Sequence, residues 1–266
     1  MTPSVIRSDI VAVHNGQHSR RTDTVVVEEP LEIRAGDHSI AVTMRTPGSD
    51  FELAAGFLLS EGLIHRRDQI RHITYCAPAG QPQQYNIVNV HLAADVVFDP
   101  QRFSRHVYTS SSCGICGRTA LDQVRASLPA SPSSADRLVP RDDLLLSLPE
   151  KLRQAQTVFA KTGGLHAAAL FDARGELRCL REDVGRHNAV DKLVGALLLE
   201  DALPARDTIL LVSGRASFEL VQKALMAGIP AMASVGAPSS LAVALAREFG
   251  LTLAGFLREG RFNLYT

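Results

Sequence analysis

Two cysteines three positions apart, Cys113 and Cys116, stand in the stretch S-S-S-C-G-I-C-G from Ser110 to Gly117. The run Arg118 to Leu128 that follows is compatible with a helix, and Ser110, Ser111 and Ser112 are candidate N-caps for it. A thiol at a helix N-terminus faces unpaired backbone N–H groups and the positive end of the helix dipole. Both favour the thiolate, which is the reactive form. The Gly114-Ile115 spacer keeps the two sulfurs near one another. Such a pair fits redox cycling, sulfur transfer, or half of a zinc site. The bland alternative is a pair of small buried hydrophobes, but among serines and glycines only Ile115 offers an apolar neighbour.

A second chemical candidate lies in the last third of the chain. Thr208 to Val212, Pro230 to Val235 and Leu251 to Leu257 read as short apolar strands, separated by helices over Ala216 to Ala227 and Leu241 to Phe249. Strands and helices alternating at these lengths form parallel βαβ units, which place ligands outside the carboxyl ends of the strands. Those ends are Ser213-Gly214-Arg215, Gly236 to Ser240 and Arg258-Glu259-Gly260-Arg261. Glycine and serine there expose backbone N–H groups, and arginine offers a guanidinium fork, a combination suited to phosphate. Ordinary turns with solvated charges are the competing reading. No G-x-G-x-x-G or Walker pattern occurs.

Two further constellations carry polar groups. Asp183, His187 and Asp191 stand at i, i+4 and i+8, a spacing that a helix would align on one face as ligands of a metal or as a hydrogen-bonding cluster. Asp183 is also a candidate helix cap, and Asp191 has Lys192 and Arg186 as candidate partners. His166 follows Gly163-Gly164 within an apolar stretch, where a hydrogen-bonded core histidine is the plain reading. A zinc deaminase would need His-x-Glu ahead of Pro-Cys-x-x-Cys. Here His166 follows the cysteines, Ala168 stands in place of the glutamate and Ser112 in place of the proline, so deamination lacks its general base.

The elements that must position these groups follow from periodicity. Residues 1–21 read as an irregular lead-in. Thr22 to Glu28, Leu31 to Arg34, Ser39 to Arg45, Ile70 to Cys76 and Tyr85 to Leu92 read as strands, and Phe51 to Glu61 as a helix capped by Ser49 or Asp50 and ended by Gly62. Leu144 to Phe159 is predicted helical, Leu165 to Phe171 and Glu176 to Leu180 form a predicted hairpin, and Ala189 to Glu200 is an amphipathic helix. The fold class is α/β. A small α/β unit over 22–107 precedes a larger one over 108–266 that carries the cysteines.

Lys plus Arg and Asp plus Glu both number 28, so the totals call for neither a nucleic-acid nor an anionic-membrane partner. Only four cysteines occur, Met1 to Asp9 lacks an apolar signal core, and no apolar run approaches spanning length. A cytoplasmic protein with reduced thiols is expected.

Seven stretches together carry a resemblance. They are E-E-P-L-E-I-R (Glu28 to Arg34), T-P-G-S-D-F-E-L-A-A-G-F-L-L-S-E-G (Thr46 to Gly62), S-S-C-G-I-C-G (Ser111 to Gly117), T-G-G-L-H-A-A-A-L (Thr162 to Leu170), R-E-D-V-G-R-H-N-A-V-D-K-L (Arg181 to Leu193), S-G-R-A-S-F-E-L-V-Q-K (Ser213 to Lys223) and G-F-L-R-E-G-R-F-N-L-Y-T (Gly255 to Thr266). In this order they resemble the FdhD/NarQ family of formate dehydrogenase accessory sulfurtransferases, across essentially residues 22 to 266. One departure is Gly236 in V-G-A-P-S-S, where the family often has serine. The resemblance implies a three-layer, cytidine-deaminase-like α/β/α domain after a smaller α/β roll, commonly as a homodimer. It also implies a sulfur carrier that accepts sulfur from a cysteine desulfurase as a persulfide and passes it to the bis(molybdopterin guanine dinucleotide) molybdenum cofactor for formate dehydrogenase. On that pattern Cys113 matches the persulfide position and Cys116 its assisting partner. Phe256, Leu257, Arg258, Glu259, Gly260 and Arg261 match the cofactor-binding stretch, and Ser213, Gly214 and Arg215 lie in a second candidate contact. No metal site of the chain's own is expected. A thiol-disulfide oxidoreductase is one rival, although no thioredoxin-like βαβ setting precedes the motif. A zinc-stabilised binding module is the other, and Cys76 or Cys179 with His166 would have to complete its ligands.

Overall fold

The computed structural model describes residues 3–77, 80, 82–96, 128 and 138–266, so Cys113, Cys116 and the helix expected after them lie outside the described residues. At the N-terminus, where the sequence reads as an irregular lead-in, β1 (Val5–His14) and β2 (Gln17–Val26) pair antiparallel along their whole length. Asn15 and Gly16 both take positive φ, 49° and 78°, the turn whose twist matches that of a hairpin.

A four-stranded sheet follows, in the order β4 (His38–Arg45), β3 (Glu29–Ala35), β6 (Ile87–Leu92), β5 (Ile70–Tyr75). Alternation sends Leu31, Ile33, Val88 and Val90 to one face, where they share a buried cluster with Leu53, Ala54 and Leu58 of α1 (Asp50–Ser60). Contrary to expectation, neither Ser49 nor Asp50 caps α1 with its side chain. Ser49 takes the N-cap position at φ 56° without a side-chain bond. Asp50 is instead bound by Arg45 at 3.0 and 3.1 Å in the interior, and it accepts a 3.2 Å bond from the Tyr75 hydroxyl. Burial first, and then the Asp50 charge, push the Tyr75 phenol up to about 12. Gly62 ends the helix as expected, at φ 71°.

The larger sheet has six strands in the order β12 (Arg261–Leu264), β11 (Thr252–Arg258), β10 (Ala231–Ser234), β9 (Thr208–Val212), β7 (His166–Asp172), β8 (Leu177–Asp183). Strands β9, β10 and β11 are parallel, as expected from their continuous apolar runs. The expected hairpin β7–β8 lies antiparallel beside β9. Among the described residues five further α-helices occur: α2 (Asp142–Ala155), α3 (Phe159–Thr162), α4 (Arg186–Leu199), α5 (Phe218–Met226) and α6 (Ser240–Glu248). Ala168, Leu170, Leu210, Val212 and Leu253 point to the face covered by α4, α5 and α6. Their neighbours Ala167, Ala169, Phe171, Ile209 and Leu211 point to the other face, against Leu145, Leu148 and Leu152 of α2. Helix, sheet and helix therefore form three layers, and the protein is a mixed α/β fold.

What joins the two sheets is the crossing of α1 and α4, the most extensive helix pairing in the described residues. A Cβ added to Gly56 would lie 1.9 Å from the Asp191 carbonyl oxygen, and one added to Gly195 would lie 1.8 Å from that of Glu52. The two backbones are therefore in contact, with no room for any side chain. None of the described helices is long and apolar enough to cross a membrane.

Candidate functional site

The carboxyl ends of the parallel strands come together at one edge of the larger sheet. After β9 the chain turns through Ser213, Gly214 and Arg215, and after β10 it turns at Gly236. The Gly236 amide donates to the Gly214 carbonyl at 2.9 Å, and the Phe256 amide donates to the Gly236 carbonyl at 3.0 Å. Three turns distant in sequence are thus tied into one backbone ladder. The approach depends on short side chains: a Cβ at Gly236 would stand 3.0 Å from the Gly214 oxygen and 3.1 Å from the Arg215 Cα. Serine there would require both neighbours to give by a few tenths of an ångström. Phe256 has φ 54°, unusual for an aromatic residue, and its side chain is 38% exposed. Strain of this kind concentrates at functional sites.

The start of β7 and the start of α4 complete this edge. His166 lies with its Nδ1 3.5 Å, and Arg186 with its Cδ 3.7 Å, from the point a Gly214 Cβ would occupy. Burial lowers the His166 pKa, the positive charge of Arg186 and then His187 lowers it further, and Asp183 opposes them. Arg186 Nε is buried without a hydrogen-bond partner. His187 Nε2 lies 2.6 Å from Glu219 Oε2 and 3.4 Å from Ser217 Oγ, at the first turn of α5.

Beneath this edge sit two buried ion pairs. Asp183 accepts from the Thr46 amide (3.1 Å), the Gly185 amide (2.8 Å) and Asn188 Nδ2 (3.0 Å), and lies 2.7 Å from Lys192 Nζ. Asp191 accepts from Lys223 Nζ at 2.7 and 2.8 Å and from Ser60 Oγ at 2.8 Å. Both pairs bind the first half of the chain to the second. The expected single-face alignment of Asp183, His187 and Asp191 does not occur, because Asp183 ends β8 and α4 begins only at Arg186. Nor does Asp191 pair with Lys192 or Arg186; its partner comes from α5. Among the described residues no group of three His, Cys, Asp or Glu is arranged to hold a metal ion.

The structure brings Ser213, Gly214, Gly236 and Phe256 together, with Arg215 exposed beside them. Ser213 Oγ accepts the Ala167 amide at 2.9 Å, so its oxygen helps pin β7 to the turn. The Leu257 side chain is fully buried in the core on the α2 side, so this residue would offer a ligand only its backbone. Arg258, Glu259, Gly260 and Arg261 form the exposed turn between β11 and β12. Sequence reasoning missed Arg186 and Glu219 as parts of this edge. The signal available was Arg186 standing between the singled-out Asp183 and His187 in R-E-D-V-G-R-H-N. Cys76 and Cys179 are both free thiols, and burial pushes Cys179 up.

Comparison with known proteins adds an independent line. The FdhD/NarQ family model matches residues 26–266. A protein of Streptomyces avermitilis named sulfur carrier protein FdhD is 55% identical, covering 97% of this chain and 93% of its own length. Proteins of the same name from Mycobacterium tuberculosis and Saccharolobus solfataricus are 50% and 44% identical, over 92% and 98% of this chain and 91% and 96% of their own. A crystal structure from Desulfotalea psychrophila, assigned as a formate dehydrogenase accessory protein, superposes with a TM-score of 0.76 at 26% identity. It covers 99% of this chain and 97% of that one.

Proposed function

The chain belongs to the FdhD/NarQ family, and from that premise we propose that it is a cytoplasmic sulfurtransferase that carries sulfur as a cysteine persulfide to the bis(molybdopterin guanine dinucleotide) molybdenum cofactor of a formate dehydrogenase. The cofactor is cargo. In the first step the Cys113 thiolate attacks the outer sulfur of a persulfide on a cysteine desulfurase. The donor S–S bond breaks, a new one forms at Cys113, and the donor leaves as a thiolate. Cys116 assists release. Its thiolate attacks Cys113 Sγ, the outer sulfur departs as hydrosulfide toward the metal, and a Cys113–Cys116 disulfide remains for a cellular dithiol to reduce.

The observation that carries the cofactor side of this reading is the ladder Gly214–Gly236–Phe256. It places two glycines, an exposed aromatic ring and a buried unpartnered guanidinium nitrogen at the edge where parallel sheets hold nucleotides. Phe256 offers a ring face to a guanine base. The desulfurase, the apo formate dehydrogenase and a second copy of this chain are the partners of the proposal, and a homodimer is its assembly. Intact mass after incubation with a cysteine desulfurase and L-cysteine is the test. One added sulfur per chain is expected, absent in Cys113→Ala; equal loading of that variant would reject Cys113 as the carrier.

A further inference from the structure

We propose that Arg186 and His166, facing each other across Gly214, form the pocket that holds the phosphate groups of a bound nucleotide. The proposal deepens the reading of this edge as a cofactor site and rests on it for the identity of the nucleotide. The anion pocket itself stands on charge accounting. The deeply buried cations of the described residues each have a carboxylate: Arg45 has Asp50, Lys192 has Asp183 and Lys223 has Asp191. Arg186 has none. Two acids on the neighbouring elements are already committed, Asp183 to Lys192 and three hydrogen bonds, and Glu219 to His187. A permanently charged group with a donor removed from water and left unpaired is costly, and an anionic ligand is the partner that would relieve it.

The surroundings favour an oxyanion. Gly214 has no side chain, and the His166 imidazole and the Arg186 Cδ both come within 3.7 Å of the place its Cβ would take. Arg186 opens α4, a helix of 14 residues whose N-cap, Gly185, has no side chain to bond the first turn; the Asp183 carboxylate takes the Gly185 amide itself. A planar guanidinium fork beside an imidazole suits phosphate oxygens. Arg258 and Arg261 are exposed at the β11–β12 turn, where water already solvates them and an ion pair is weak. The phosphate contact therefore belongs to Arg186 and not to that pair.

Calorimetry on the full chain with three probes tests this: inorganic diphosphate, GDP and guanosine. Arg186→Gln is expected to weaken diphosphate and GDP by about tenfold to a hundredfold and to leave guanosine unchanged. Arg186→Lys, which keeps the charge and loses the fork, should fall between wild type and Arg186→Gln. In the wild type, diphosphate should also raise the pKa of His166, read from its ring proton shifts. Unchanged diphosphate and GDP affinity in a folded Arg186→Gln protein would overturn the assignment, as would a wild type that binds neither phosphate probe. Diphosphate held through Arg186 with no added affinity for GDP would keep the anion pocket and reject the nucleotide reading. GDP and guanosine bound normally by both proteins would do the reverse.

Discussion

The helix crossing at Gly56 and Gly195 and the sheet edge at Gly214 and Gly236 are both built from glycines, yet they use the missing side chain in opposite ways. At the crossing the space is filled by another backbone, and the charges around it are paired: Asp191 lies against Lys223 and Ser60, and Asp183 against Lys192 and Thr46. At the edge the turns are tied together, but at Gly214 a side chain would meet only ordinary contacts from His166 and Arg186, and Arg186 Nε is left without a partner. One region is complete as it stands. The other keeps an unmet requirement. The contrast shows how to tell glycine kept for packing from glycine kept for binding: ask whether protein atoms already occupy the place of its side chain.

The sharpest way to break this comparison is through the charges. Lys223→Met strands Asp191 in the interior and is expected to cost about 3–5 kcal/mol in chemical denaturation. Arg186→Gln removes a cation that has no partner among the described residues and is expected to leave stability unchanged or raised. If the two cost the same, Arg186 is a structural residue and the distinction between the regions fails. Gly195→Ala comes next. With a backbone oxygen 1.8 Å from the new methyl, α1 and α4 must separate, at about 3 kcal/mol. A fall of less than about 1 kcal/mol in the denaturation midpoint analysis would mean that the crossing has slack.

The smallest effect is a pH dependence from His166. Its folded pKa lies below the ordinary 6.5. As pH falls past 6.5 the unfolded chain takes up the proton first, so this residue's contribution to stability is present above that value. It is lost progressively until pH passes the lowered folded pKa. Histidine ring shifts should titrate with a midpoint below 6.5, and in Arg186→Gln that midpoint should move up, because one of the neighbouring positive charges is gone. A midpoint unmoved by the substitution would separate the two side chains.

Much of this was legible beforehand, for identifiable reasons. The runs T-I-L-L-V and T-L-A-G-F-L are too short and too apolar for anything but buried strands, and the intervening helices fixed a parallel sheet and with it the edge that carries Ser213, Gly214 and Phe256. The Asn15-Gly16 hairpin signal was present as well, but His14, His18, Arg20 and Arg21 around it masked the alternation. Gly56 and Gly195 gave no warning, since each sits in an ordinary helical pattern and their meeting is a fact of tertiary packing. The misreading of Asp183 came from extending helical spacing back across Val184 and Gly185, where the chain is leaving a strand. That Arg186 lacks a carboxylate is likewise decided only when the helices pack and the nearby acids choose other partners.

Helix α4 has its first residue at the edge proposed to bind a ligand and its tenth, Gly195, at the backbone contact with α1. At 1.5 Å per residue the two ends of this relation are about 13 Å apart along a rigid rod. The crossing is thus a pivot and the Arg186 guanidinium the tip of a pointer. Any tilt allowed at the pivot is delivered as displacement at the tip. The glycine contact that holds the fold together is at the same time the gauge that sets where a phosphate would be met, so the accuracy of the proposed site would be stored in residues well away from its ligand.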